Sequence, residues 1–158
     1  MKLIILLIFT LTSSVTLAKN ILVNECVHLQ EISESQFVLF NKKEFIKLGE
    51  CLAVHTIKRH KIKHLPKLCA EVIENEDNPF GIMSLSKLET IYIGQCIGTI
   101  NYIYQRYDNE LVNQYRGGYR YKEIYACRRG LPAAKVLINH ASDSMSRNQI
   151  KNLLCEVQ

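Results

Sequence analysis

The sequence predicts a small all-α protein, a bundle of five or six helices stapled by disulfides. Three observations carry this expectation. An eleven-residue pattern occurs twice at a constant offset of 45, each copy behind a helix start signal. Apolar residues recur at spacings of three and four through the second copy, and six cysteines are spread along the chain with no close pair. The composition agrees: of 158 residues, 47% are hydrophobic and 22% charged, proportions that exclude a disordered or collagen-like chain.

Residues 1–18, MKLIILLIFTLTSSVTLA, combine an early lysine, an apolar stretch from Leu3 to Leu11 and a small-residue end at Ala18, and they read as a cleaved secretory signal. Residues 19–158 are expected to form one domain, with 19–66 as a partial N-terminal repeat and 67–158 as the rest of the core. No later stretch approaches the roughly 20 apolar residues of a membrane helix, so no anchor is expected after cleavage.

The repeat pairs KKEFIKLGECL (42–52) with KLETIYIGQCI (87–97), identical at five of eleven positions. Asn41 with Glu44, and Ser86 with Glu89, form the polar box that satisfies two orphan backbone donors at a helix start. Helices are therefore expected from 42 and from 87. In the second, Leu88, Ile91, Tyr92, Cys96, Ile100, Ile103 and Tyr107 line one face, widened by Ile93, Ile97 and Tyr104, which makes it the central helix. Gly49 and Gly94 hold equivalent positions in the copies. Each costs about 1 kcal/mol relative to Ala in a helix, a cost that close helix packing would offset. The first helix is expected to continue through TIKRHKIKHLPK and stop ahead of Pro66. The second ends in YDNELVNQYRGGYRYK, where Gly117-Gly118 marks a turn. Pro132 suits the first turn of a helix over LPAAKVLINH, and Ser146 with Gln149 starts a last helix ending near Cys155. Strand alternation is nowhere sustained.

Intervals of 24, 17, 26, 30 and 27 residues separate Cys26, Cys51, Cys69, Cys96, Cys127 and Cys155, which excludes the close pairs of zinc and thioredoxin-like sites. An even count in an exported chain points to disulfides. Sequence does not select among the fifteen connectivities. The expectation is sequential pairing, Cys26–Cys51, Cys69–Cys96 and Cys127–Cys155, with Cys51–Cys69 as its weakest exclusion.

The chemistry-bearing residues are few. His60 and His64 are four apart on an expected helix, but Lys58, Arg59, Lys61 and Lys63 surround them, and that positive field opposes a cation. The segment reads as a solvated basic end able to dock on an acidic partner. Tyr115, Arg116, Tyr119, Arg120 and Tyr121 interleave aromatic and basic side chains around the glycine pair. The segment reads as an ordinary connecting loop or as a protein-binding one, since these types dominate protein interface hot spots, and export disfavours nucleic acid as their target. Glu74, Glu76 and Asp77 read as a solvated loop. No local nucleophile–base motif is present. No enzyme activity, cofactor or metal is expected.

The order Leu68-Cys69, then Cys96-Ile97-Gly98-Thr99-Ile100-Asn101-Tyr102-Ile103, then Tyr125-Ala126-Cys127 with Gly130-Leu131, then Leu153-Leu154-Cys155 resembles the Rap/Tai immunity proteins of bacterial type VI secretion systems. The resemblance covers residues 68–155. Arg128-Arg129 stand where that family usually has a proline, and Leu153-Leu154 where it has Phe-Pro. It implies an exported, periplasmic helical protein that occludes the active site of a secreted peptidoglycan-hydrolase toxin, with no catalytic residue of its own. Members form homodimers, so a second copy of this chain is a further candidate partner. Two other readings stay open: a secreted helical carrier of a small apolar ligand, and an exported effector that binds a host protein.

Overall fold

The computed structural model describes Cys26 and residues 39–79, 81–116 and 118–158; the signal segment 1–18 and most of the stretch before the first repeat copy lie outside the described residues. In chain order the elements are α1 (Lys42–Arg59), β1 (Ile62–Lys63), α2 (Leu65–Glu76), a 3₁₀ turn (Gly81–Ser84), α3 (Lys87–Tyr107), β2 (Leu111–Arg116), β3 (Tyr119–Cys127), α4 (Gly130–Ile138), β4 (Ser144–Met145), α5 (Arg147–Leu154) and β5 (Cys155–Val157).

Both repeat helices begin where their polar boxes predict. Asn41 accepts from the Glu44 N–H at 3.1 Å while the Glu44 carboxylate takes the Asn41 N–H at 2.6 Å. Ser86 and Glu89 make the same exchange at 3.2 and 2.6 Å, and Ser146 with Gln149 starts α5 in like manner. The helices α1 and α3 lie side by side and run the same way. Lys87 sits over the Phe45 ring near their starts, and Lys58 over the Tyr102 ring near their ends.

The repeat glycines make this closeness sterically possible. A Cβ on Gly49 would collide with the Ile91 carbonyl oxygen and lie 2.9 Å from the Gly94 Cα. One on Gly94 would collide with the Ile46 carbonyl oxygen. Ile46 and Ile91 are the same repeat position, so the contact is reciprocal, as in a two-fold interface between identical subunits. Gly98 admits the Glu50 backbone one turn on, and its counterpart in α1 is the buried Ala53.

The core lies between α3 and the later helices: Leu65, Leu68 and Cys69 from α2, Ala133, Ala134 and Leu137 from α4, and Ile150 and Leu154 from α5 surround Ile100 and Ile103. Two buried hydroxyls of α3 are satisfied within the helix, Thr90 by the Lys87 carbonyl and Thr99 by the Gln95 carbonyl. Leu88, expected on the buried face of α3, is exposed instead. The disulfides are Cys26–Cys51, Cys69–Cys96 and Cys127–Cys155, in sequential order.

Most of the described chain is helical, but two expectations need correction. The all-α class does not hold, because β2, β3 and β5 form an antiparallel sheet. The turn end of β3 alternates tyrosine with arginine and lysine, so its period of two is carried by β-favouring aromatics and not by an apolar–polar contrast. Second, α1 ends at Arg59, and Pro66 stands at the start of α2. Proline lacks an N–H that the first helical turn does not use, so it opens a helix as readily as it follows one. The helix α3 ends at Tyr107, the first residue of the stretch in which its end is expected, with Asp108 as its cap, and the residues after it enter β2.

Two substitutions test the packing and the capping of α3. On an isolated helix Gly94→Ala would gain about 1 kcal/mol. Here the added methyl meets the Ile46 carbonyl, and urea denaturation of the oxidised protein should show a loss of about 2 kcal/mol; a gain would mean the helices do not touch there. Hydrogen bonds from the Ser86 backbone and hydroxyl hold the Glu89 carboxyl below its ordinary pKa. A carboxyl lowered on folding stabilises above its unfolded pKa, and that share is lost as pH falls through the folded value. Ser86→Ala leaves the Glu89 N–H without its cap acceptor and should cost about 1 kcal/mol at pH 7, with a smaller loss in acid, measured by the same titration at both pH values.

Candidate functional site

A glycine pair, a short sheet and a disulfide build the β2–β3 hairpin. Arg116 is paired with Tyr119, and Gly118, in the short loop between them, has φ +82°. Such loops demand backbone that glycine enters freely. The register also gathers the five tyrosines and arginines that flank the glycine pair. Tyr115 is paired with Arg120, Arg116 with Tyr119, and Tyr121 with Gln114, so all five occupy the three rungs next to the turn. The Arg120 guanidinium donates to the Asn113 side-chain carbonyl at 2.9 Å across the strands.

The base is held more firmly than the tip. β3 is flanked by β2 on one side and β5 on the other, and the Cys127–Cys155 disulfide joins directly opposed residues of β3 and β5. Asp108 at the end of α3 accepts the Cys127 N–H, and Arg128 pairs with Glu156. Toward the turn, from Val112–Glu123 outward, two strands pair among the described residues. Leu111 and Ile124 are directly opposed near the base, 68% and 38% exposed. On the same sheet face the exposed Asn113, Lys122 and Arg120 follow them toward the turn. From Leu111 to Arg129 the chain carries five basic residues and one acidic.

The basic segment is not one helix. His60 is the C-cap of α1 and His64 the N-cap of α2, in the left-handed region at φ +56°. The expected shared helical face therefore does not exist. The buried residues Ile62 and Met145 pair β1 with β4 between these caps, and His64 Nδ1 meets the Asp143 carboxylate at 2.9 Å. Lys58, Arg59, Lys61, Lys63 and Lys67 are exposed around it. Glu74 and Glu76, expected in a loop, close the last turn of α2, with Asp77 as its cap.

Sequence reasoning missed a row of phenols and cations along the end of α3. Lys58 sits over the Tyr102 ring at 5.9 Å. Arg147 is exposed at the start of α5, one turn before Lys151, and hydrogen bonding to Tyr102, ahead of the electrostatic pull of Tyr107, pushes its pKa further up. Lys151 is 5.7 Å from the Tyr107 ring centre and donates to the Tyr125 hydroxyl at 2.9 Å. The order along the row is Lys58, Tyr102, Arg147, Tyr107, Lys151, Tyr125, with Tyr107 itself buried. Two flanking cations cover tyrosines as well, Arg106 on Tyr107 and Arg129 on Tyr104. Arg147 and Lys151, four apart in a helix, were the legible part of this row.

Among the described residues no three His, Cys, Asp or Glu side chains are grouped to hold a metal ion, and no helix is long and apolar enough to cross a membrane. Three disulfides in one chain fit an oxidising compartment and hence export. The class defined by this structure is a disulfide-bonded, mostly helical protein that presents a basic β-hairpin. The chain matches no family model, no curated protein and no solved structure.

Gly118→Val puts a β-branched residue at positive φ and should open the turn. Cross-strand contacts between Arg116 and Tyr119 in solution NMR should disappear while the thermal midpoint moves by no more than about 4 °C. A larger fall would show that the tip supports the core.

Proposed function

We propose that this protein is an exported, non-catalytic inhibitor that binds another protein through the β2–β3 hairpin. The functional type it fits best is the periplasmic immunity protein that occludes the active site of a peptidoglycan hydrolase delivered by a type VI secretion system. One observation supports the reading above others: the register gathers Tyr115, Arg116, Tyr119, Arg120 and Tyr121 around a glycine turn, on a hairpin whose base is locked by a disulfide. Tyrosine and arginine supply large contact area and directed hydrogen bonds at low entropic cost. A preformed base lowers the ordering cost of binding. The exposed Leu111–Ile124 pair adds an apolar patch at the base of the same hairpin. Occlusion needs no reacting group on the inhibitor; a loop that fills a cleft and excludes substrate is sufficient.

The test uses the exported protein, purified oxidised, against a panel of peptidoglycan amidases from type VI systems, with loss of sacculus turbidity as the readout. One amidase should be inhibited at equal molar amounts. Alanine at all five hairpin positions should abolish that inhibition with little change in the melting temperature. Full inhibition by the five-alanine variant would remove the hairpin, and an unaffected panel would remove the immunity reading.

A further inference from the structure

We propose that the Lys58–Tyr102–Arg147–Tyr107–Lys151–Tyr125 row is a second docking surface, one that takes an acidic segment of a protein partner. The inference rests on the reading of the chain as a protein-binding protein. It concerns a surface other than the upper hairpin, which it meets only at Tyr125.

The charge of the row is uncompensated. Among the described residues no carboxylate pairs with Lys58, Arg147 or Lys151. The acids that come after Tyr107 are engaged elsewhere: Asp108 accepts from the Cys127 N–H and the Asn109 amide, and Glu110 pairs with Arg106 at 3.3 Å. The cations instead rest on phenols, which leaves their charge intact. Each contact is also directional. The Tyr125 oxygen that accepts from Lys151 still has its own O–H to donate, and no acceptor for the hydroxyls of Tyr102 and Tyr125 is found among the described residues. The row therefore presents alternating cationic and neutral donors, all suited to carboxylate oxygens.

The position of Arg147 runs against the interest of folding. It is the first residue of α5, whose first turn carries no acid. The partial positive charge of a helix N-terminus disfavours a cation there. The stability of α5 does not explain the choice of arginine, whereas an arriving anion would meet both the guanidinium and the helix end.

The spacing of the row suits a chain of carboxylates. Arg147 and Lys151 are one helical turn apart, about 6 Å between β-carbons. Tyr102 and Tyr107 are separated by about 7.5 Å of helical rise. Carboxylates at such intervals occur on an acidic segment, at every second residue of an extended strand, about 6.6 Å, or one turn apart on a helix. A single small anion would span only one step of the row.

Binding of fluorescein-labelled octaglutamate to the oxidised full protein, followed by anisotropy at low salt, tests this. Arg147→Gln with Lys151→Gln should weaken binding by about tenfold. Lys61→Gln with Lys63→Gln, which removes the same charge from the neighbouring basic segment, should weaken it by less than about twofold. Tyr102→Phe, Tyr107→Phe and Tyr125→Phe together keep every charge and should still weaken it about threefold. Equal loss in the two lysine and arginine variants would reduce the row to net charge and overturn the proposal. So would an unaffected triple phenylalanine variant, absence of octaglutamate binding, or tighter binding to phosphatidylglycerol vesicles than to the peptide with the same dependence on Arg147 and Lys151. Because no hydrolase is present, this result and the inhibition test fail independently.

Discussion

The close approach of α1 to α3 at Gly49 and Gly94 is the constraint on which the rest of the structure depends. Each glycine accommodates the other helix's backbone where any β-carbon would collide with a carbonyl oxygen. That proximity gives two parallel helices a long shared seam and leaves the remaining faces of α3 free for α2, α4 and α5. A central helix buried on so many sides makes one core serve every other element. The disulfides reinforce the same arrangement, because Cys51 and Cys96 are equivalent repeat positions two residues beyond the glycines. The reciprocity of the Gly49–Ile91 and Gly94–Ile46 contacts shows that the sequence repeat is also a structural one, an internal pair packed as two copies of a subunit would be.

What the sequence disclosed divides along a physical line. Helix starts were legible because a capping box is complete within four residues, so Asn41, Ser86 and Ser146 announce themselves without reference to the rest of the molecule. The glycines were legible through their cost, which only tight packing could offset. The hairpin was half legible: Gly117-Gly118 marked the turn, but tyrosines alternating with arginines and lysines do not resemble the apolar–polar pattern of a half-buried strand. Pro66 was misread because proline marks both ends of helices, and only the β1–β4 pairing decides between them. The phenol–cation row was hidden for a different reason. Lys58, Tyr102, Tyr125, Arg147 and Lys151 come from four separate elements, and nothing local in any of them anticipates the others.

Electrostatics separates the two surfaces from the frame. Where charge serves the fold it is compensated, as in Arg106–Glu110, Arg128–Glu156 and the Glu44 and Glu89 boxes. Such exposed pairs contribute little each, and their removal would leave the glycine seam and the core intact. Where charge goes uncompensated among the described residues, along Lys58, Arg147 and Lys151, the frame has no use for it. An uncompensated cluster raises self-repulsion, and its retention next to aromatic rings is better explained by recognition than by stability.

The hairpin sharpens the same contrast within one element. At its base three strands, a disulfide between opposed residues and an aspartate cap fix the backbone; at its tip two strands and a glycine turn are left to support themselves. Isolated two-stranded ribbons are marginal in water, so the tip gains its definition from the base below and from whatever it contacts above. A rigid base sets where the tip points and limits the entropy lost on contact, while the glycine turn leaves room for the rungs to adjust to a partner's surface. On the proposed reading this division of labour is the reason for the arrangement. The helices and disulfides hold a position in space, and the aromatic and basic residues at the end of the sheet can change with the partner without disturbing what holds them there.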